Sequence, residues 1–360
     1  MIVGNKNKNT AVSGWDSSRS AVHTAAAGAE SAGPAPVLAV QDLRIGFTSD
    51  FGERIVTDDL CFQVEAGETL GIVGESGCGK SVTSLAVMGL LGKNGHVRKG
   101  SAVFQGKDLL QLTEKELDQI RGKELTMVFQ DALAGLDPVF TIGTQMTEPL
   151  RIHLGLSRKE AQEHAVELLK RVGVPDAAAA MKKYPSQLSG GMRQRVMIAM
   201  ALSCHPTLLI ADEPTTALDA TIQAQIMRLL RKVREEESMS MMLITHDIGV
   251  IAQMADRVMV MYAGQIVEEA KVGELFRNPL HPYTKALLAS VPSIHDDGQR
   301  VLESIPGSVP EDYTEITGCR FAARCRYFRK GSSCDDPQPY KELGEGHRVR
   351  CAQCSCYSCC

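Results

Sequence analysis

Tryptophan occurs once in the 360 residues, and aromatic residues make up only 5% of them. Long apolar runs are missing too: no stretch approaches the ~18 uninterrupted apolar residues that a membrane-crossing helix requires. Any work at a membrane therefore needs another chain to do the spanning. Charge of one sign is also lacking, since 39 Lys and Arg against 43 Asp and Glu leave a net charge of -4. That balance argues against nucleic acid or an anionic lipid surface as the main partner. The stretch from Met1 to Trp15 has no apolar core of the kind a secretory signal needs, which predicts a cytoplasmic location. Cysteine is plentiful but uneven: of eleven, three are scattered and eight follow Gly318. Clustered thiols in a cytoplasmic chain suggest metal or cluster ligation before disulfides. A local run of Arg320, Arg324, Arg326, Arg329 and Lys330 reads as a solvated face.

What is present is ordinary for a globular chain, 44% apolar and 23% charged. Residues 1–36, rich in Asn, Ser, Ala and Gly, carry too little apolar periodicity to bury a face and are expected to form a disordered extension. From 37 to about 290 short β-rich runs alternate with helical patterns, which predicts an α/β layered domain with a mainly parallel sheet. Strand candidates lie at 70–73, 125–129, 208–211, 241–244 and 258–261. Between the second and third, about 135–200 reads as a helical insertion. It contains the capping box Ser157-Arg158-Lys159-Glu160, then Ala161, Ala165, Leu168, Leu169 and Val172 at helical spacing, and Gly173 as a stop. After Ser290 the sheet pattern ends, and prolines from 292 to 339 mark 291–360 as a loop-rich C-terminal module.

Directly after the apolar run at 69–73 comes Gly74-Glu75-Ser76-Gly77-Cys78-Gly79-Lys80-Ser81, which matches G-x-x-x-x-G-K-[ST] without a gap. Glycines let such a loop turn its N–H groups on phosphate oxygens at a helix N-terminus. Lys80 adds a point charge for the β- and γ-phosphates, and the Ser81 hydroxyl is placed to ligate Mg²⁺. A bound nucleoside triphosphate is expected. A second apolar run ends in Asp212-Glu213, two carboxylates at the edge where a doubly wound sheet binds its ligand. Asp212 suits Mg²⁺, and Glu213 suits the attacking water; taken alone, Glu213 serves equally to cap a strand-to-turn junction before Pro214. Leu188-Ser189-Gly190-Gly191-Met192 leads into a helical run, which makes it a second anion site or an ordinary serine cap.

With these motifs in this order, the stretch from 37 to about 290 resembles the nucleotide-binding subunit of an ATP-binding-cassette transporter. Leu188-Ser189-Gly190-Gly191 is similar to that family's signature, with Met192 where Gln is usual. The resemblance implies a P-loop NTPase (RecA-like) α/β core, an antiparallel β subdomain, an inserted helical subdomain and the cysteine-containing C-terminal module. It implies ATP and Mg²⁺ held by Gly74 to Ser81, with Ser81, Gln130 and Asp212 toward the metal and Glu213, His246 and Gln130 as catalytic residues. Phe47 stands near the position of the aromatic that stacks on adenine, with Phe51 as competitor. Ser189, Gly190 and Gly191 would act in trans on the ATP of a second cassette, across an interface that Asp219 joins.

Residues 71–91 and 184–202, together with Asn278-Pro279-Leu280-His281-Pro282-Tyr283-Thr284-Lys285, resemble the oligopeptide and dipeptide importer branch. In some of its members four positions matching Cys319, Cys325, Cys334 and Cys351 ligate a [4Fe–4S] cluster. Here the spacing is not a ferredoxin pattern; the alternatives are reduced, unliganded thiols or a proline-rich docking segment. The implied assembly has two transmembrane permeases, a second cassette that is the same or a different chain, an external solute-binding protein and no nucleic acid. It places this chain peripherally on the cytoplasmic face of the bacterial inner membrane. Nickel, glutathione or another small solute is the alternative cargo. A soluble non-transport cassette ATPase and a phosphate-loop kinase are the rival classes. The sequence departs from the branch at Ala132, Gly135 and Asp137 and in the tail from Cys354 to Cys360.

Overall fold

In the computed structural model the described residues are 35–50, 52–131, 135–216, 218–291, 305–310, 312–313, 315–344 and 346–352. Nearly all of the expected N-terminal extension, and the tail from Cys354, lie outside them. Strands β1 (Leu38–Ser49) and β2 (Gly52–Val64) pair antiparallel and turn Leu38, Val40, Leu43, Ile45, Leu60, Phe62 and Val64 inward. β3 (Thr69–Val73) leads through the glycine loop into helix α1 (Lys80–Val87). β4 (Gly95–Phe104) and β5 (Lys107–Asp108) complete the first sheet, in the order β2-β1-β4-β5. After α2 (Glu114–Ile120) comes β6 (Leu125–Val128), and then four helices in a row: α3 (Ile142–Leu154), α4 (Arg158–Arg171), α5 (Ala177–Ala180) and α6 (Gly190–Ala201).

The chain returns to the sheet with β7 (Leu208–Asp212), α7 (Ala220–Glu237), β8 (Ser240–Ile244), α8 (Ile248–Met254), β9 (Arg257–Tyr262) and β10 (Gln265–Lys271). Helices α9 (Val272–Arg277) and α10 (Pro282–Ala289) and strands β11 (Lys341–Glu342) and β12 (Arg348–Val349) follow. The second sheet has the order β11-β12-β10-β9-β3-β8-β7-β6. From β6 to β9 neighbouring strands are parallel. β3, β7 and β8 are buried at every position, as strands covered on both faces must be, so they read as continuous apolar runs. One core lies between the two sheets, and the other joins the second sheet's far face to the helical insertion.

All five strand candidates form, β6 ending one residue early, and the capping box starts α4 as expected. Ser157 N–H donates to Glu160 at 2.9 Å, while Ala161, Ala165, Leu168 and Leu169 are buried. Two expectations need correction. The sheet does not end after Ser290, because Val349 and Arg348 pair with Glu268 and Glu269 of β10. Strands two residues long show no periodicity to find. Nor is the basic run wholly a solvated face: Arg320 donates to Ala263 O at 2.6 Å and to Asp58 at 2.9 Å, and Arg324 is buried in an ion pair with Glu75. Arg326, Arg329 and Lys330 are exposed, as read.

Candidate functional site

The glycine loop spans the gap between β3 and α1 and is held close to the end of β9. A Cβ on Gly74 would lie 2.1 Å from Met261 O, which only glycine permits. Gly79 has φ +100, a left-handed conformation that larger side chains avoid, and sits where a Cβ would strike Thr57 at 2.7 Å. Lys80, buried, curls back over the loop and donates to Gly74 O at 2.8 Å and Glu75 O at 3.0 Å. Cys78 is buried beneath it, and burial pushes its thiol pKa up. Ser76 and Gly77 stay exposed at the loop's crest.

β6, β7 and β8 are adjacent and parallel, so their C-terminal ends meet at one edge beside the loop. Ser81 Oγ donates to Asp212 Oδ1 at 3.0 Å, which joins the loop to β7. Glu213 adopts φ +45, and its N–H donates to Ile244 O at 2.8 Å. A non-glycine residue held there is strained, the kind of conformation that surrounding structure must enforce. Its carboxylate collects three groups. Gln130 Nε2 donates to Oε2 at 2.9 Å, Thr216 Oγ1 donates to the same oxygen at 2.8 Å, and His246 Nδ1 lies 3.3 Å from Oε1. Three predicted residues thus come together, with Thr216 added. Its hydroxyl three residues after a strand-end carboxylate was the overlooked signal.

Burial acts to raise the pKa of both carboxylates, with opposite outcomes. For Glu213 the hydrogen bonds from Thr216 and His246, with the charges of His246 and Lys80, prevail over burial and hold it below the usual range. For Asp212 burial prevails, helped by the neighbouring charge of Glu213 and opposed by Ser81 and Lys80, and the pKa is raised. A buried carboxylate raised in this way is a place where a cation restores ionisation.

The remaining predicted residues are placed elsewhere. Ser189 caps α6 by accepting from Met192 N at 3.4 Å, and Ser189 and Gly190 are exposed. Gly191 packs on Ile222, so the N-termini of α6 and α7 lie together. Asp219 Oδ1 accepts from Thr221 N at 3.1 Å and Ile222 N at 3.0 Å, the cap of α7. No hydrogen bond or ion pair found among the described residues joins 189–191 to the glycine loop. Phe47, on β1, is half-buried against Gly95, and Phe51 lies outside the described residues. Cys319 N–H donates to Cys334 O at 2.8 Å. Burial, with the nearby Cys334 and Cys325, pushes the Cys319 thiol up to about 11. Cys351 is buried with Val349 and Leu280. Among the described residues, the one set of three candidate metal-ligand atoms within 4.8 Å of one another is instead Asp42, Asp59 and Cys61, an exposed group. A cavity of about 410 Å³ between α7 and α8 does not include the glycine loop.

A G-x-x-x-x-G-K-S loop on a parallel sheet, carboxylates at its edge and a serine-capped diglycine turn on an inserted helical unit are the makeup of a P-loop nucleotide-binding protein. Residues 57–216 match the family described as ABC transporter, and 267–334 match the oligopeptide/dipeptide transporter C-terminal region. A Brucella abortus (strain 2308) protein named for peptide import and ATP binding is 51% identical over 317 residues, covering 88% of this chain and 95% of its own. Another from that strain, named alike, is 49% identical over 327 residues, covering 88% and 96%. A solved dimeric ATP-binding cassette in a post-hydrolysis state, bound to ADP and Pi, aligns with TM-score 0.60 at 28% identity over 65% of this chain and 98% of its own. The cbiO1 structure from Clostridium perfringens, part of the cbiONQ transporter complex, aligns with TM-score 0.56 at 26% identity over 68% and 91%. The chain belongs to the ABC transporter family, as an ATP-hydrolysing subunit with the oligopeptide/dipeptide C-terminal region. ATP with Mg²⁺, a paired cassette and permease partners come with that membership, and the kinase reading is set aside.

Proposed function

We propose that this chain powers the import of di- or oligopeptides by hydrolysing ATP between two cassettes, peripherally on the cytoplasmic face of a bacterial inner membrane. The observation that carries it is the convergence of Gln130, Thr216 and His246 on Glu213, beside the Ser81–Asp212 pair. The loop from Gly74 to Lys80 cradles the phosphates, with Ser76, Gly77, Cys78, Gly79 and Lys80 facing them and Gly74 and Glu75 forming its base, and half-buried Phe47 offers a ring for adenine. Ser81, Asp212 and Gln130 fit a magnesium ion, which when bound neutralises charge on the phosphates. Glu213, a carboxylate whose hydrogen bonds and neighbouring charges outweigh its burial, accepts the proton from the attacking water. Gln130 and Thr216 orient that carboxylate, and His246 stands over its other oxygen. Little covalent chemistry is asked of the protein; position and charge carry phosphoryl transfer to water.

Ser189, Gly190 and Gly191 supply free N–H groups to the partner cassette's nucleotide, and Asp219 stands at the same interface. The two transmembrane permeases dock on the helical subdomain of about 135–200, and an external solute-binding protein delivers the peptide. Within the 291–360 module, Cys319 N–H donates to Cys334 O at 2.8 Å, and Cys351 is tied to the same segment through Ala352 and Gln338. Were a [4Fe–4S] cluster bound, Cys319, Cys325, Cys334 and Cys351 would supply its thiolates and it would link their segments. Peptide as cargo is favoured over nickel or glutathione by the peptide-import names of the relatives. The test is Glu213→Gln in the purified complex: ATP binding is retained while turnover falls by ~10²–10⁴. Near-normal hydrolysis in that variant removes Glu213 from its role.

A further inference from the structure

The C-terminal region reaches back and holds the glycine loop at one residue. Every polar group of Glu75 is engaged. Its N–H donates to Tyr283 Oη at 2.9 Å, its carbonyl accepts from Lys80 at 3.0 Å, and its carboxylate receives Arg324 Nη1 at 2.7 Å and Nη2 at 3.1 Å. Two of these three partners lie more than 200 residues away in sequence. Arg324 is itself fixed: Nε donates to Pro306 O at 2.8 Å, the guanidinium sits 5.7 Å from the centre of the Tyr262 ring, and the side chain is only 6% exposed. Tyr262, Tyr283 and Phe321 pack on one another with ring centres 4.7 to 5.4 Å apart, so both anchors stand on one aromatic wall.

Glu75 is an odd residue for its place, because a loop that receives phosphate gains nothing from a carboxylate. Unpaired, that charge would repel the nucleotide; paired in a two-pronged guanidinium grip, it is cancelled and held in one orientation. Tyr283 meanwhile takes the Glu75 N–H outward, leaving the later N–H groups of the loop to face the ligand. We propose that Arg324 is a positioning residue of the nucleotide site: acting through Glu75, it sets the shape and charge of the glycine loop, so that ATP affinity depends on the C-terminal region. This rests on the reading of 74–81 as the ATP site.

The experiment measures ATP hydrolysis by the assembled complex against ATP concentration. Arg324→Ala is expected to raise KM for ATP about 3- to 30-fold, the scale of one uncancelled charge near phosphate, with kcat within about twofold because Gln130, Glu213 and His246 are untouched. Adding Glu75→Gln to Arg324→Ala removes the orphaned charge and brings KM back to within about threefold of wild type, a rescue that lost packing alone would not give. Arg324→Lys, which keeps the charge but not the fork, falls between, and it decides the matter should the alanine variant not assemble. An unchanged KM in Arg324→Ala, or in the lysine variant if that one decides, overturns the proposal, as does a double variant no better than the single. If wild-type complex shows no saturable ATP hydrolysis, the ATP-site reading falls as well; saturation by wild type with unmoved variants overturns this inference alone.

Discussion

Single atoms decide what the glycine loop tolerates. Gly74 lies so near β9 that an added methyl group would sit 2.1 Å from Met261 O, a backbone atom that cannot swing aside. Gly74→Ala should therefore push the loop away from β9 at a cost of about 1–3 kcal/mol, the usual range for overpacking. It should also lose nucleotide affinity, since Lys80 is bonded to the Gly74 carbonyl. Thermal unfolding of the full chain with and without ATP checks both parts: a lowered midpoint, and a smaller upward shift on adding ATP. A midpoint and an ATP shift equal to wild type would mean that the loop has more room than the structure gives it. Glu213 makes the complementary point, for its positive φ is held by neighbours on β8 and by three side-chain partners, not by anything in its own chemistry.

Elements differ in how openly the sequence announces them. β3, β7 and β8 are buried on both faces and so appear as bare apolar runs, and α4 begins at a capping box that closes as the spacing requires. The antiparallel sheet came through the resemblance alone, and β1 shows why: its register shifts between Val40 and Leu43 and again before Ile45 break the alternation that marks a strand. Gln130, Glu213 and His246 could be named in advance, but their meeting depends on strand order, and Thr216 completes the cluster unannounced. Arg320 and Arg324 look solvated in the sequence because a charge's partner is invisible when it lies far off along the chain, as Glu75 does from Arg324 at 249 residues. Helix α10 carries a pH dependence of its own. His281 caps it, accepting from Tyr283 N at 3.1 Å, and burial, opposed by Glu268, pulls its pKa from 6.5 down to about 4. The fold therefore favours the neutral ring. Its contribution is complete above about pH 6.5 and is lost as pH falls toward 4, when the unfolded chain takes a proton that the folded chain refuses, up to about 3 kcal/mol. His281→Asn keeps a capping acceptor without the titration. Its melting midpoint should fall less than wild type's between pH 7 and 4.5, and an identical decline would assign the acid sensitivity to other groups.

At the scale of the whole molecule, the two turns proposed to hold nucleotide face a problem of distance. Lys80 and its loop lie at the edge of the sheet, whereas Ser189 and Gly190 are exposed on the helical insertion, and among the described residues no hydrogen bond joins the two. On the proposed reading one chain presents two half-sites, and a second cassette of the same or a different chain, set head to tail, would complete both at once. In that proposal ATP is the ligand with differential affinity for the closed pair, and hydrolysis at Glu213 would release it. The consequence is testable in solution. A Glu213→Gln chain supplied with ATP and Mg²⁺ should run as a dimer in light scattering, and as a monomer with ADP. Placing a carboxylate against the partner's phosphates by Ser189→Glu in that background should raise the ATP needed for dimerisation by about tenfold or more, like charges at close range being worth at least that much. Folding is not at issue, since glutamate leaves the exposed cap within a turn of the same helix and costs at most about 1–2 kcal/mol. A dimer equally stable with Ser189→Glu would mean that residues 189–191 do not face the nucleotide, and the pairing would have to be built on another surface.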